Sequence, residues 1–217
     1  MGKTTDIRAA VEAELKFDPR VNGADIHVAN VNGDVALNGT VPNYPQYLEG
    51  AAGTQRVSGV KNVFNHLEVV LPASDFRDDV ILTTAANNAV AANVTVPDGV
   101  EAIAEDGNLT LTGTVSYGAE RAAAEQAVAA LTGVRNVRDD IEISYDDDRV
   151  DVDLHVQEAL SRSALVPDDS DVKVATDGSI ITLTGHVHTW AEHDAVVGAA
   201  WMARGVVDVN DELQITG

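Results

Sequence analysis

One spacing recurs three times along the 217-residue chain, and it constrains the fold more than any single motif. It starts from Gly39, Gly113 and Gly185. Twenty residues after each stands a Gly-Val pair: Gly59-Val60, Gly133-Val134 and Gly205-Val206. Three residues after each of those valines comes another: Val63, Val137 and Val209. The apolar pairs Leu67/Val69, Ile141/Ile143 and Leu213/Ile215 follow at matching offsets. A period of roughly 70 residues held at this many positions marks tandem structural units. The expected units are residues 1–72, 73–146 and 147–217.

Each unit has the same internal pattern. The stretches Asp34–Gly39, Asn108–Gly113 and Ser179–Gly185 alternate apolar and polar residues, as a strand with one buried face does. Upstream, Ile26/Val28, Val100/Ala102 and Val172/Val174 alternate likewise. Between the two strands lies Asn32-Gly33, Asp106-Gly107 or Asp177-Gly178, a strong hairpin signal. Helical segments follow over 46–57, 119–131 and 191–203. Their expected inward residues are Ala51/Ala52, Ala123/Ala127/Ala130 and Ala195/Ala199/Ala200, small enough to bring a helix close to a sheet. Gly59, Gly133 and Gly205 stop those helices, and a last strand follows. A first helix opens each unit, over 5–15, 78–92 and 150–161. The fold class is therefore α+β: three tandem two-layer α/β sandwiches. Each is ordered α-β-β-α-β, with a three-stranded mixed sheet and two helices on one face. The links over 71–77 and 144–149 are too short to act as free tethers.

Composition removes several function classes. The chain has no cysteine, so disulfides, thiolate metal sites and cysteine nucleophiles are excluded. The net charge of −21 opposes nucleic acid and anionic membranes at long range and favours cations and basic partners. It is unevenly spread. Residues 1–74 carry 6 basic and 8 acidic residues, net −2; residues 75–148 carry 4 and 15, net −11; residues 149–217 carry 4 and 12, net −8. No apolar run reaches the roughly 18 residues of a membrane span. No apolar stretch of signal-peptide length follows Met1–Asp6. The expectation is a cytoplasmic chain, or a periplasmic one whose signal has been removed.

The ordered pattern resembles the BON domain (bacterial osmotic-stress and nodulation domain). The residues that carry the resemblance are the "DGSIITLTGHV" hairpin, the "TWAEHDAVVGAAW" helix and the "RGVVDVNDELQI" strand of the third unit, with "LKFDPRVNGADIHVANVNGDVALNGTV" in the first. The resemblance implies the α-β-β-α-β fold and a non-enzymatic module tied to osmotic or envelope stress. It also implies weak contact with phospholipid or an envelope protein. One relative binds potassium in the cytoplasm, so a cation-binding or cation-sensing protein is the alternative, and a scaffold for a partner protein a further one. No cofactor is implied.

Three sets of residues are candidate sites. Tyr44, Tyr117 and Trp190 stand where the second helix of each unit begins, and rings at such junctions serve lipid or partner contact, or close the end of a small core. In the third unit, His186 and His188 lie two apart on a strand and share a face; with His193 they form a candidate metal set, with Glu192 beside them. Asp146, Asp147 and Asp148 concentrate oxygen ligands suited to a hard cation at the second link. Gly2-Lys3-Thr4 lacks the strand and upstream glycine of a phosphate loop, and no Gly-x-Ser-x-Gly elbow exists.

Overall fold

The computed structural model describes residues 3–144, 152–162 and 171–216. The first unit runs α1 (Lys3–Phe17), β1 (Ile26–Val31), β2 (Asp34–Val41), α2 (Tyr44–Gln55) and β3 (Asn62–Val69). The second runs α3 (Asp79–Ala92), β4 (Glu101–Glu105), β5 (Asn108–Val115), α4 (Gly118–Ala129) and β6 (Asn136–Ile143). The third runs α5 (Val152–Arg162), β7 (Lys173–Asp177), β8 (Ile180–Val187), α6 (Trp190–Met202) and β9 (Asp208–Ile215). Each sheet is mixed: the hairpin strands pair antiparallel, and the last strand lies parallel to the middle one. Parallel pairing needs a crossover, and the second helix of each unit supplies it.

The alternation seen in the sequence sets which side chains enter the cores. Val35 and Leu37, Leu109 and Leu111, and Ile181 and Leu183 are fully buried from the middle strands. The first helices cover them through the stripe Val11/Leu15 and its counterparts Leu82/Ala86/Val90 and Val152/Val156.

Three expectations are corrected. The middle strands do not end at Gly39, Gly113 and Gly185 but continue to Val41, Val115 and Val187. These glycines sit inside the strands at φ +121° to +137°, where the hairpin partner's approach leaves no room for a side chain. A Cβ on Gly113 would lie 2.5 Å from the Gly99 carbonyl oxygen, and one on Gly185 equally close to that of Asp171.

The third hairpin also turns differently. Asp177 is the last residue of β7, so Gly178-Ser179 makes the turn, with Gly178 at φ +62°. In the first two units Asn32-Gly33 and Asp106-Gly107 both take positive φ, the type I′ pattern; glycine first suits type II′.

The buried faces of α2 and α4 are rotated from those expected, while on α6 Ala200 is buried as expected, with Val196 in place of Ala195 and Ala199. Ala124 and Val128 are buried on α4, and Val196 and Ala200 on α6. On α2, Gly50, Gly53 and Thr54 are buried rather than Ala51 and Ala52. A Cβ on Gly50 would lie 3.0 Å from Leu67 Cδ1, so α2 packs tightly on β3 at this glycine. A valine and an alanine share the core side of α4 and of α6, and the remaining alanines are left for other contacts.

Candidate functional site: the junctions between units

The second helices meet head to tail. Tyr44, the first residue of α2, is 4% exposed and belongs to the core of the second unit, against which Ala129, Leu131 and Val137 also pack. It stacks on Tyr47 at 5.5 Å, and Val137 gives it a backbone hydrogen bond. Burial, the Glu125 charge and Tyr47 push its hydroxyl up to about 12. At the other end of α4, Gly118 faces Trp201 near the end of α6: a Cβ there would lie 2.6 Å from Trp201 Cε3. At the third junction the start of α6 comes near the end of α2. Trp190 and its neighbours His188 and Thr189 share a cavity of about 240 Å³ with residues 55–60 at the end of α2. Helix N-termini thus face helix C-termini, a favourable alignment of their dipoles.

Local capping explains why the helices begin where they do. The Asn43 side chain accepts from the Gln46 amide at 3.0 Å, and Thr189 Oγ1 from the Glu192 amide at 3.2 Å. In the second unit Glu120 reaches back instead, accepting from the Ser116 and Tyr117 amides at 2.8 and 3.1 Å. Tyr117 is therefore the residue before the helix, aligned with Asn43 and Thr189. The position of Tyr44 and Trp190 is taken in the second unit by Gly118. The three aromatics singled out in the sequence do not occupy one equivalent place. Tyr44 is buried between units, Trp190 is partly buried with its indole Nε1 enclosed and without a hydrogen-bond partner among the described residues, and Tyr117 is 36% exposed.

The histidines do not converge either. His186 Nδ1 lies 2.8 Å from Asp171, His188 Nδ1 3.3 Å from Glu192, and His193 Nε2 2.7 Å from Asp211. Each imidazole has its own carboxylate, and the hydrogen bonds from His186 hold the Asp171 carboxyl below the usual range. Among the described residues no three His, Asp or Glu side chains are placed to hold a metal ion. Asp146, Asp147 and Asp148 lie outside the described residues.

Two features were not picked out in the sequence. One is a cavity of about 350 Å³ between α4 and α6, lined by small residues, Trp201, Met202, Arg121, Glu125 and Asp139. Arg121 Nε is 2.8 Å from Asp139, and its guanidinium stands 5.1 Å from the Trp201 ring centroid. Glu125, a mid-helix glutamate among alanines and beyond the capping Glu120, was the available signal. The other is an exposed apolar group at the entrance to the second unit: Phe76 (58% exposed), Val80 (79%) and Ile81 (57%). Arg77 folds back between them, donating to the Phe76 and Ser74 carbonyls at 2.7 and 2.9 Å.

This architecture and spacing match a known family three times. The BON domain family matches residues 3–70, 78–145 and 148–217. The chain belongs to the BON-domain family. Among curated proteins, a BON-repeat stretch of 130 residues is 32% identical to the outer membrane lipoprotein DolP of Haemophilus influenzae, covering 58% of this chain and 64% of that one. The alignment thus spans less than two thirds of that relative's length. Among solved structures, CdsD, a structural protein of the type III secretion system of Chlamydia trachomatis, is similar at 17% identity over 96% of this chain and 91% of that one, with a TM-score of 0.27. Its C-terminal domain gives the same identity and TM-score with both chains fully covered. No helix among the described residues of the BON repeats is long and apolar enough to cross a membrane.

Proposed function

We propose that this chain is a non-enzymatic binding module of the bacterial envelope, of the osmotic- or envelope-stress type, which makes weak contact with a phospholipid surface. Membership of the BON family in three copies and likeness to an outer membrane lipoprotein support this reading. The observation that carries it is the exposed group Phe76, Val80 and Ile81 at the start of the second repeat. Within six residues these side chains offer a ring just ahead of α3 and two branched aliphatics in its first turn to the interface, exposed rather than inside a core.

Charge sets what kind of surface is accepted. Asp75, Asp78 and Asp79 flank the apolar group, and the second repeat is the most acidic of the three. Contact therefore rests on apolar insertion, and an anionic surface is penalised most at low salt. Tyr44 is enclosed between repeats and unavailable to lipid; Tyr117, the exposed member of the aromatic set, is the one proposed for contact.

Vesicle flotation tests this. The full chain is expected to float with zwitterionic vesicles, and less with anionic ones at low salt. Replacing Val80 and Ile81 together by Asp removes roughly 2–4 kcal/mol of apolar transfer, enough to abolish flotation. No flotation with either vesicle type at any salt concentration overturns the lipid reading.

A further inference from the structure

The cavity between α4 and α6 holds a carboxylate that makes no hydrogen bond or ion pair with any described residue. Its volume of about 350 Å³ falls in the size range of small-molecule sites. Ala119, Ala122 and Gly198 leave the space open, Gly118 lets Trp201 close against it, and Trp201 and Met202 give it apolar walls. Arg121 is committed to Asp139 and to the Trp201 ring. Glu125 has no hydrogen-bond or ion-pair partner among the described residues, although it is half-buried. An ionised carboxylate taken partly out of water without a partner is costly. Burial first, and then the neighbouring Asp139 charge, raise its pKa, with Arg121 acting the other way.

Such a site selects its ligand by charge and by shape. Two carboxylates and a chain of net charge −21 repel anions. Metal cations need several oxygens around one point, and walls of Trp, Met and Ala supply none. An ammonium group attached to a short hydrocarbon fits both halves of the lining. We propose that this cavity binds an organic ammonium ion, with Glu125 as its counter-ion and Trp201 and Met202 against the attached hydrocarbon. The ammonium belongs either to a soluble amine or to a zwitterionic lipid headgroup. The site does not depend on the lipid contact proposed at Phe76, Val80 and Ile81.

NMR titration of the full chain tests it, using the backbone amides of Gly118 and Gly198 as reporters in the cavity wall. The probes are choline chloride, ethanolamine hydrochloride, hexyltrimethylammonium chloride and, at matched ionic strength, potassium chloride. Saturable shifts with the amines at millimolar concentrations, absent with potassium, are expected. Glu125→Gln, which keeps shape and removes charge, is expected to weaken binding at least tenfold. Met202→Ala, at a 73% exposed position, is expected to abolish any preference for hexyltrimethylammonium over choline without altering the fold. Zwitterionic vesicles that move the same two amides identify a headgroup as the source; a response to free amines alone identifies a soluble ligand. Amine binding by a chain that floats with no vesicle leaves this site standing and removes the lipid-contact reading. No saturable shift, equal shifts with potassium, or unchanged affinity in Glu125→Gln overturns the proposal.

Discussion

At the scale of single residues, the charge of the first repeat is organised around Asp18. Its side chain is 4% exposed and accepts from the Arg20 backbone, from Arg20 Nε and Nη2, and from Arg56 Nη2 at 2.6 Å. Glu14 and Glu49 hold the other faces of Arg56. The end of α1 is thereby pinned to the end of α2. The corresponding Asn93 does this without charge, accepting from the Thr95 amide and donating to the Ala123 carbonyl on α4. The Arg20 hydrogen bonds hold Asp18 down to about 2 from 3.8. A depressed carboxyl stabilises the fold while it is ionised in both states, so its contribution is complete above pH 3.8 and disappears as pH falls towards 2. Asp18→Asn is expected to lower the melting temperature at pH 7 and to flatten the dependence of melting on pH between 4 and 2. Parallel melting curves for the two proteins across that range would refute it. None of this was legible beforehand: an Asp-Pro-Arg corner reads as a loop until Arg56, thirty-eight positions away, is seen to close on it.

At the scale of elements, helices and strands were readable because period and glycine placement agree in three copies. What the sequence left open was which face each helix buries. Alanine surrounds α4 on nearly every side, so periodicity alone cannot orient it, and only packing of Val128 decides. The helix α3 shows a second kind of hidden information. Asp79, Thr83 and Asn87 recur every four residues and form a polar stripe against the open edge of β4. Asp79 accepts from the Asp106 and Gly107 amides, Thr83 Oγ1 from the Ala104 amide at 2.9 Å, and Asn87 exchanges two hydrogen bonds with Ala102, at 2.7 and 3.0 Å. A mid-helix asparagine that looks like a weakness thus covers an edge strand that would otherwise invite pairing with another chain. Asn87→Leu strands the Ala102 amide and carbonyl and is expected to cost about 1–3 kcal/mol. Hydrogen exchange at Ala102 should quicken at least tenfold, while exchange at Leu109 in the middle strand changes less. Unchanged protection at Ala102 would show that the stripe is incidental.

At the scale of the whole molecule, three repeats that look alike in sequence are used differently at their junctions. Tyr44 plugs the second repeat; Gly118 receives Trp201 of the third; Trp190 borders a cavity against the first. The aromatic set was legible, but its meaning was not, because a shift of one residue at Tyr117 replaces a plug by a socket. The closure of α2, α4 and α6 on one another makes a specific demand. If the repeats form a ring, loosening one junction must loosen another that lies far from the change. Gly118→Val places a side chain against Trp201, which is itself packed into the core of the third repeat and cannot retreat freely. Overpacking of this kind costs about 1–3 kcal/mol. Helix and strand content by circular dichroism should persist, since no repeat loses its own core. The radius of gyration by small-angle scattering should rise. Hydrogen exchange should quicken over residues 198–204 at the altered junction and also over residues 55–60, which face Trp190 at the opposite one. If only the first segment responds, the repeats form an open chain with two independent contacts, and the proximity of Trp190 to the end of α2 is not a closing contact.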